Sequence, residues 1–562
     1  MQNISEVLLH QLNKNPEKFI IYLQESGKKD FPITYADLIQ KSCVYSKHYK
    51  ERNLKPGDIC ILLLQHGQDL LYSYFGAVLY GIVPSIMPFL TEKLLPERYR
   101  IELSKLFSIT NPHAIVTYKD FSKEIFSAIK SDLYEREIII SEDVYEKEDE
   151  EYPIPTCGKN RKPEDIVLLQ HSSGTTGLQK GVALSHKAVL QQLYNYKNSI
   201  QLCDTDFIVS WLPLYHDMGL IAGFLMPILL GTPLVLMSPF EWVRAPYKLL
   251  RAISDYKGTL CWLPNFAYNF CAKKIRENQI EGINLSTLRA VINCSEPMRW
   301  KSHQMFYEKF HHYGFRKESL ATCYAMAENV FAVTQDGIKK NITIDEIDLE
   351  AFQKHDHAKP ASENELQTIK MISAGSPIEG TQIKIVDSDG NNVADRKIGE
   401  ILIKSNYMLS EYYNRPDETR KSFLNEWFKT GDLGYIADEE LYISGRKKDL
   451  IIVGGKNIYP QDLEILSMEV EGVHPGRTVA FGIDNDETGT EDVVIVAEVD
   501  EEYQDQKERI AEEIRIVINK GSAISLKNVY LVSERWLVKT SSGKIARSAN
   551  KQKYLSEFVN VS

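Results

Sequence analysis

The sequence predicts an α/β protein with substantially parallel sheets, divided between a large N-terminal domain and a small C-terminal domain. Short apolar, β-branched runs alternate with longer amphipathic segments over most of the chain, a pattern typical of strands joined by crossover helices. The length of 562 residues exceeds what one hydrophobic core supports, so two or more domains are expected. Between Ile383 and Ile403 the pattern changes to strand, turn and strand.

The predicted strands are short apolar runs between polar segments, at residues 59–64, 114–117, 166–169, 234–237, 260–263 and 290–293. Amphipathic spacing predicts helices at residues 70–80 and 187–196. Asp389 and Gly390 form a hairpin turn signal between two strand-like runs.

Composition excludes several classes of protein. The net charge of −11 is diffuse, which argues against a nucleic-acid-binding surface. None of the eight cysteines forms a Cys-x-x-Cys pair, which suits reduced thiols in a cytosolic protein. Residues 1–5 contain no basic region followed by an apolar run, so no signal peptide is expected and a cytoplasmic location is predicted.

Residues 219–240 carry no charge and are long enough to cross a bilayer. Gly223, Pro227, Gly231 and Pro233 interrupt them. A buried helix, a turn and a strand at residues 234–237 therefore explain this stretch better than a membrane span, and no membrane span is expected.

Polar segments mark the domain organisation. Residues 142–155 are acidic and predict an exposed connector. Residues 335–370 are highly charged and long for a loop, so they are either disordered or a specific insertion. Residues 445–449 (Gly-Arg-Lys-Lys-Asp) predict a hinge between an N-terminal domain at 1–445, which carries that insertion, and a C-terminal domain at 446–562.

The most informative stretch is residues 169–181, which read Leu-Gln-His-Ser-Ser-Gly-Thr-Thr-Gly-Leu-Gln-Lys-Gly between two apolar runs. Hydroxyls and glycines in such a loop offer donors and close backbone approach to phosphate oxygens. It is not a Walker A loop, because Gln179 precedes Lys180 and Gly181 follows it. A plain flexible hairpin is the alternative interpretation.

This loop resembles the phosphate loop of the adenylate-forming superfamily, which includes acyl-CoA synthetases, luciferases and nonribosomal adenylation domains. Further segments match that superfamily in the same order: residues 211–219 (Trp-Leu-Pro-Leu-Tyr-His-Asp-Met-Gly), 294–297 (Cys-Ser-Glu-Pro), 324–328 (Tyr-Ala-Met-Ala-Glu), 430–432 (Thr-Gly-Asp), 445–446 (Gly-Arg) and 540–544 (Thr-Ser-Ser-Gly-Lys). The resemblance implies the superfamily's fold, a large N-terminal domain of several subdomains with mostly parallel sheets and a small α+β C-terminal domain.

The resemblance also implies a set of site residues. ATP is expected to bind Ser172, Ser173, Gly174, Thr175, Thr176, Lys180, Ser295, Glu296, Pro297, Tyr324, Ala325, Met326, Asp432 and Arg446. Magnesium, which prefers oxygen ligands, is expected at Thr175 and Glu328. Catalytic roles are implied for Lys544, which would bridge the carboxylate and the α-phosphate, and for His216 beside the carboxylate substrate.

Each of these residues also has an ordinary structural interpretation. Glu328 is compatible with a solvated helix, Asp432 with a turn and Lys544 with a mobile tail loop. His216 is compatible with a core histidine bonded to a carbonyl. No Gly-x-Ser-x-Gly elbow occurs, and the His-Asp-His run at residues 355–357 has no further ligand nearby for a metal.

Two segments resemble the fatty acyl-AMP ligases in particular. These are residues 457–464 (Asn-Ile-Tyr-Pro-Gln-Asp-Leu-Glu) and residues 264–268 (Pro-Asn-Phe-Ala-Tyr). Ile452 stands where CoA-forming relatives often carry a lysine, and the charged segment 335–370 lies where the fatty acyl-AMP ligases carry an insertion thought to restrain the C-terminal domain. Departures from the broader superfamily are Ala325, Ala327 and Lys448.

The expected activity is ATP-dependent conversion of a medium- or long-chain fatty acid to acyl-AMP and pyrophosphate, for transfer to the phosphopantetheine of an acyl carrier protein. A long-chain acyl-CoA synthetase and a non-catalytic acyl-adenylate-binding module are the alternatives. Apolar surface for the acyl chain is expected from Trp211, Phe224, Met226, Phe266, Tyr268 and Phe270.

Overall fold

The structure, a computed structural model, describes residues 2–25, 27–89, 96–128, 137–144, 152–171, 180–362, 367–453, 456–485, 490–522, 526, 528–540 and 543–559. The first third of the chain forms α1 (Ile4–Lys14), β1 (Phe19–Gln24), β2 (Phe31–Thr34), α2 (Tyr35–Glu51), β3 (Ile59–Leu63), α3 (Gln68–Tyr80), β4 (Val83–Ile86), α4 (Pro96–Thr110), β5 (Ala114–Thr117), α5 (Lys119–Ala128) and β6 (Glu137–Ile140).

The middle of the chain forms β7 (Ile166–His171), β8 (Gly181–Ser185), α6 (His186–Ser199), β9 (Ile208–Ser210), α7 (Met226–Leu230), β10 (Leu234–Met237), α8 (Pro239–Arg244), α9 (Tyr247–Asp255), β11 (Leu260–Leu263), α10 (Asn265–Lys274), β12 (Ala290–Asn293), α11 (Trp300–Phe310), β13 (Leu320–Ala325) and β14 (Ala332–Asp336).

The remainder forms β15 (Ile344–Asp348), α12 (Leu349–His355), β16 (Thr368–Pro377), β17 (Thr381–Val386), β18 (Gly399–Ser405), β19 (Glu411–Tyr412), α13 (Pro416–Lys421), β20 (Phe423–Leu424), β21 (Trp427–Ala437), β22 (Glu440–Arg446), β23 (Ile451–Val453), β24 (Lys456–Ile458), α14 (Pro460–Met468), β25 (Val473–Asn485), β26 (Thr490–Val499), α15 (Lys507–Ser522), β27 (Asn528–Val532) and α16 (Arg547–Tyr554).

A mixed sheet runs through most of the molecule. Of the described strands, fifteen belong to it, in the order β17-β18-β21-β22-β16-β14-β13-β12-β11-β9-β10-β1-β2, with β15 on β16 and β20 on β21. The strands from β13 to β1 run parallel, whereas those from β14 to β17 are antiparallel. Every residue of β10, β11 and β12 is buried, because helices cover both faces of a parallel sheet.

Smaller sheets complete the fold. β4, β3, β5 and β6 form a parallel sheet, and β19, β8 and β7 form an antiparallel one. The predicted α/β class with substantially parallel sheets is confirmed, and all six predicted strands and both predicted helices are present. Gly390 has φ +85° in the turn between β17 and β18, as the hairpin signal predicted.

The region after Arg446 encloses a core of its own. Ile451, Ile495, Ile510 and Ile514 pack together where the sheet of β25, β26 and β27 meets α14 and α15. Its α+β character agrees with the expectation for the end of the chain.

The charged segment 335–370 is ordered over its described residues, since it contains β15, α12 and the start of β16. Ile347 and Phe352 from this segment are buried in a core with Tyr435 and Tyr459. Of the two predicted alternatives, this order favours a specific insertion over a disordered loop. Residues 363–366 lie outside the described residues. Half of the predicted connector at 142–155 also lies outside them, at residues 145–151.

Residues 219–240 fold into a π-helical segment (Met218–Leu225), α7, a turn at Gly231 and strand β10. All described residues of the π-helical segment are buried in the protein core. In the part of the chain that the structure describes, no helix combines the length and hydropathy that crossing a membrane requires.

Candidate active site

A cavity of about 2420 Å³ opens where four adjacent parallel strands end. The loops that follow β9, β11, β12 and β13 line it, as expected for open α/β sheets, which bind ligands beyond the carboxyl ends of their strands. The antiparallel strands β21 and β22 close other sides of it, together with residues 535–540 and 543–549 near the C-terminus.

The cavity brings together the described residues that the resemblance assigned to the site, namely Lys180, His216, Ser295, Glu296, Pro297, Tyr324, Ala325, Met326, Glu328, Asp432, Arg446 and Lys544. They come from segments far apart in sequence, so a shared cavity is not a consequence of proximity along the chain. The remaining expected positions, Ser172, Ser173, Gly174, Thr175 and Thr176, lie outside the described residues.

A β-hairpin places Asp432 opposite Arg446. Strands β21 and β22 are joined by Asp438 and Glu439, which both have positive φ, the geometry of a tight two-residue turn. Across the hairpin, Arg446 Nε lies 3.0 Å from Asp432 Oδ1. Asp432 is a paired strand residue, so the interpretation of it as only a turn residue is wrong.

The second oxygen of Asp432 accepts a hydrogen bond from the Tyr324 hydroxyl, with 2.6 Å between the oxygens. Tyr324 lies near the end of β13, in the parallel half of the sheet, and burial raises the pKa of its hydroxyl well above the ordinary value. The hydroxyl therefore stays protonated and donates to the carboxylate. Asp432 thus connects the two halves of the sheet at the cavity wall.

Glu328 lies in a short 3₁₀ turn after β13, not in a solvated helix. Its Oε1 accepts a hydrogen bond of 2.8 Å from the Tyr412 hydroxyl. Burial raises the pKa of the Glu328 carboxyl above its ordinary value, while this hydrogen bond opposes the rise. Lys180 lies 4.6 Å above the Tyr412 ring and 2.9 Å from Glu418, so the base of the predicted phosphate loop adjoins Glu328.

The backbone beside Glu328 is strained. Val330 has φ +64° and ψ −55°, and the Phe331 N–H donates to the Asn329 carbonyl at 2.7 Å. This is the geometry of a classic γ-turn, which is rare, and rarer still for a β-branched residue. Val330 is fully buried, so the packing around it holds the turn in place.

His216 lies beside a carboxylate. Its Nδ1 is 2.6 Å from Asp217 Oδ1, so it is not a core histidine bonded to a carbonyl. Burial opposes ionisation of Asp217, but His216, Lys544 and the Met218 N–H together hold the pKa of that carboxyl below its ordinary value. The loop closes tightly, because a Cβ at Gly219 would lie 2.2 Å from the Pro213 carbonyl oxygen.

Lys544 reaches the cavity from a turn near the C-terminus. Its N–H donates to Thr540 Oγ1 at 3.2 Å, and the Thr540 N–H donates to the Lys544 carbonyl at 2.7 Å. Burial lowers the pKa of the ammonium, while Glu296 and Asp217 favour the charged form. Glu296 is anchored in turn, since it accepts a hydrogen bond of 3.0 Å from the Phe266 N–H.

The apolar part of the cavity differs from the sequence-based expectation. Trp211, Phe266 and Phe270 line it, but Phe224, Met226 and Tyr268 do not; these three are fully buried in the protein core. All three lie on helical segments whose buried faces direct them to packing contacts.

Sequence reasoning missed several residues at the site. Asp217 stands inside a recognised motif but received no role, although its neighbour His216 did. Tyr412 belongs to no recognised motif. It reaches the site because β19 pairs with β8, a contact between segments that are remote in sequence. Trp242, at the apolar wall, gave no signal that distinguishes it from an ordinary core residue.

Comparison with known proteins identifies the family. Residues 8–413 match the sequence profile of the family described as AMP-binding enzyme. The chain therefore belongs to the AMP-binding enzyme family, and it is an adenylate-forming ligase, the class that the fold and the cavity define.

Among its relatives is the medium-chain-fatty-acid–[acyl-carrier-protein] ligase JamA of Moorena producens, which is 29% identical over 96% of this chain and 93% of JamA. A protein of Caulobacter vibrioides that is provisionally named an acyl-CoA synthetase is also 29% identical, over 93% of this chain and 90% of that protein. The resemblance to fatty acyl-AMP ligases is confirmed. The two relatives are named for different acyl acceptors, an acyl carrier protein and CoA.

Solved structures give the same fold. One from a study of fatty acyl-adenylate ligases of E. coli and L. pneumophila superposes with a TM-score of 0.91 at 24% identity, over 100% of this chain and 99% of that one. The fatty acyl-adenylate ligase of L. pneumophila in complex with acyl adenylate and pyrophosphate superposes with a TM-score of 0.75 at 28% identity, over 99% and 96% of the two chains.

Proposed function

We propose that this chain activates a medium- or long-chain fatty acid with ATP and Mg²⁺, releases pyrophosphate, and transfers the acyl group from acyl-AMP to the phosphopantetheine of an acyl carrier protein. The observation that carries the proposal is the position of Lys544. It lies in the same cavity as Asp432 and Arg446, although it is remote from both in sequence. A charged donor at this place suits a reaction in which negative charge develops on the α-phosphate.

In this proposal, Asp432 accepts the ribose hydroxyls of ATP and Arg446 donates to the same ribose. The hydrogen bond from Tyr324 and the ion pair with Arg446 fix the orientation of the carboxylate before the nucleotide arrives. Tyr324 and the turn at Ser295, Glu296 and Pro297 form the adenine pocket. Preorganised groups of this kind lower the barrier by positioning.

Glu328 fits a magnesium ion, because it lines the cavity and its carboxylate offers the oxygen ligand that magnesium prefers. Lys180 lines the same cavity. When bound, Mg²⁺ neutralises charge on the leaving pyrophosphate. Thr175 is the second proposed ligand. Lys180 supplies a further positive charge beside this site.

The carboxylate of the fatty acid would attack the α-phosphorus, and the bond from that phosphorus to the pyrophosphate oxygen would break. Lys544 would contact both the attacking carboxylate and an α-phosphate oxygen, holding them together. His216, oriented by Asp217 at 2.6 Å, would border the carboxylate. No proton transfer is required in this step.

The proposed acceptor follows from the insertion at 335–370. It contacts the region after Arg446 at several points: the Phe352 and Tyr459 rings lie 5.1 Å apart, and Asn457 Nδ2 donates to Asp356 Oδ1 at 2.6 Å. These contacts favour the arrangement in which Lys544 occupies the cavity. They support a domain at 446–562 that is held for adenylation, with CoA thioesterification disfavoured.

The direct test is ATP–pyrophosphate exchange with saturated fatty acids of four to eighteen carbons, followed by mass spectrometry for acyl-AMP. Exchange that depends on both a fatty acid and Mg²⁺ is expected. If the protein binds acyl-AMP but no acid supports exchange, the proposal is wrong and the chain is a non-catalytic acyl-adenylate-binding module.

A further inference from the structure

The apolar wall of the cavity is built around two stacked tryptophans. The Trp211 and Trp242 rings are nearly parallel, 9° apart, with their centroids separated by 3.6 Å. Phe270 lies 5.3 Å from Trp242, and Phe266 meets both indoles edge-on at 6.1–6.3 Å. Four aromatic side chains therefore form one packed cluster at this wall of the cavity.

The two indoles reach this place from different elements. Trp211 begins the loop that leads to His216, and both residues line the cavity. Trp242 lies in α8, which Ser238 caps by accepting a hydrogen bond from the Phe240 N–H. Trp242 is 0% exposed, and Phe270 of α10 packs on its other side.

Packing alone holds the pair. Among the described residues, neither indole N–H has a hydrogen-bond partner, which is unusual for buried tryptophans. Replacing Trp242 by a smaller residue therefore breaks no hydrogen bond of the indole N–H. The change alters the volume and shape of the cavity rather than a hydrogen-bond network.

We infer that the Trp242 indole is the stop that sets the maximum length of the acyl chain, with Trp211 as the fixed surface against which it stacks. The inference rests on the proposed function. Acyl carbons up to the Trp242 ring are buried, and each buried methylene raises kcat/KM by about fourfold. Carbons beyond the ring gain no further contact, so longer acids gain nothing or are excluded.

The experiment measures kcat/KM for ATP–pyrophosphate exchange with saturated acids of four to eighteen carbons, using the full-length protein and the variants Trp242→Phe and Trp242→Ala. The optimum is expected to move to longer acids in the order Trp, Phe, Ala, by several carbons for Ala. Acids shorter than the wild-type optimum should change by less than about threefold in Trp242→Phe.

Trp427→Leu is the matched control, because it removes a tryptophan from β21 that packs under Lys384 outside the apolar wall. Its chain-length profile should equal that of the wild type. An unchanged optimum in both Trp242 variants, or an equal shift in Trp427→Leu, would overturn the inference.

The outcomes separate the two proposals. If wild type and variants all lack exchange with every acid, the proposed function fails. If wild type shows exchange and the optimum is unchanged in every Trp242 variant that folds, only the length stop fails. Thermal melting of each variant identifies a folding defect, and Trp242→Phe retains an aromatic ring at the stack should Trp242→Ala not fold.

Discussion

At the scale of single residues, the site depends on charged groups that the fold removes from water and surrounds with specific partners. Asp432 has a donor on each carboxylate oxygen, and Lys544 lies near Glu296 and Asp217. Burying a charge without partners is costly, and these partners offset that cost.

Lys544→Ala is expected to lower the rate of acyl-AMP formation by roughly 10²–10³-fold, because the ammonium matters most when charge moves onto the α-phosphate. ATP affinity, measured with a fluorescent nucleotide, should stay within about twofold. Lys551→Ala, a lysine of α16 outside the cavity, is the control and should retain wild-type turnover. Normal turnover of Lys544→Ala would remove this residue from the mechanism.

The raised pKa of Glu328 predicts how magnesium dependence responds to pH. A protonated carboxyl does not ligate a metal, so apparent Mg²⁺ affinity should decline as pH falls, starting above the ordinary carboxyl range. Below the Glu328 pKa the decline approaches about tenfold per pH unit. The measurement is the Mg²⁺ concentration for half-maximal exchange between pH 8 and 5.5.

Glu328→Gln is the control for that titration, since protonation of ATP itself contributes in both proteins. The variant should need more Mg²⁺ at every pH and should show only the dependence that ATP imposes. Parallel curves for the two proteins would exclude Glu328 as the titrating ligand.

At the scale of elements, a short helix of the segment 335–370 contacts the region after Arg446. Helix α12 presents Phe352 to Tyr459, and the residue that ends the helix, Asp356, accepts a hydrogen bond from Asn457. Contacts of this size shift a conformational equilibrium by the free energy that they supply and by no more.

The double variant Phe352→Ala, Asp356→Ala should therefore release part of the restraint. Exchange is expected to fall by less than about fivefold, because neither residue is among the proposed catalytic, nucleotide-binding or metal-binding groups. Acyl-CoA should become detectable when CoA is added. Phe352→Leu keeps the apolar contact and should behave as the wild type. A double variant with no acyl-CoA, and with a C-terminal region that remains as protease-resistant as before, would assign the restraint to other contacts.

At the scale of the whole molecule, the proposed function links the identity of the acceptor to the domain arrangement that the chain favours after adenylation. Ile452 is 51% exposed and offers no charge for a second arrangement. With fatty acid, ATP and Mg²⁺, the intact protein should accumulate acyl-AMP, give little acyl-CoA, and acylate a phosphopantetheine-bearing carrier protein. Mass spectrometry of all three products decides this, and abundant acyl-CoA from the intact protein would favour an acyl-CoA synthetase.

The sequence predicted the elements and loops that follow local rules. Apolar runs marked β10, β11 and β12 because a strand buried on both faces must be apolar along its whole length. Motif loops marked His216 and Asp432 because their residue types are tied to chemistry. These features can be predicted from residues that are adjacent in sequence, without information on tertiary contacts.

Contacts between remote segments were not predictable in the same way. The hydrogen bond from Tyr412 to Glu328 requires β19 to pair with β8, and the stack of Trp211 on Trp242 requires β9 and α8 to converge. An aromatic residue in a sequence also does not reveal whether it faces a cavity or the core. Phe224 and Tyr268 were assigned to the wrong side for that reason.

The γ-turn at Val330 has a consequence for the entropy of ligand capture. A carboxylate on an ordinary loop loses conformational freedom when a metal arrives, and that loss weakens binding. The chain reverses at Val330, two residues after Glu328, in a conformation strained by about 1–3 kcal/mol. This turn restricts the backbone that carries the carboxylate. The backbone at Glu328 is already ordered in the folded protein, so a metal that binds there does not have to immobilise it.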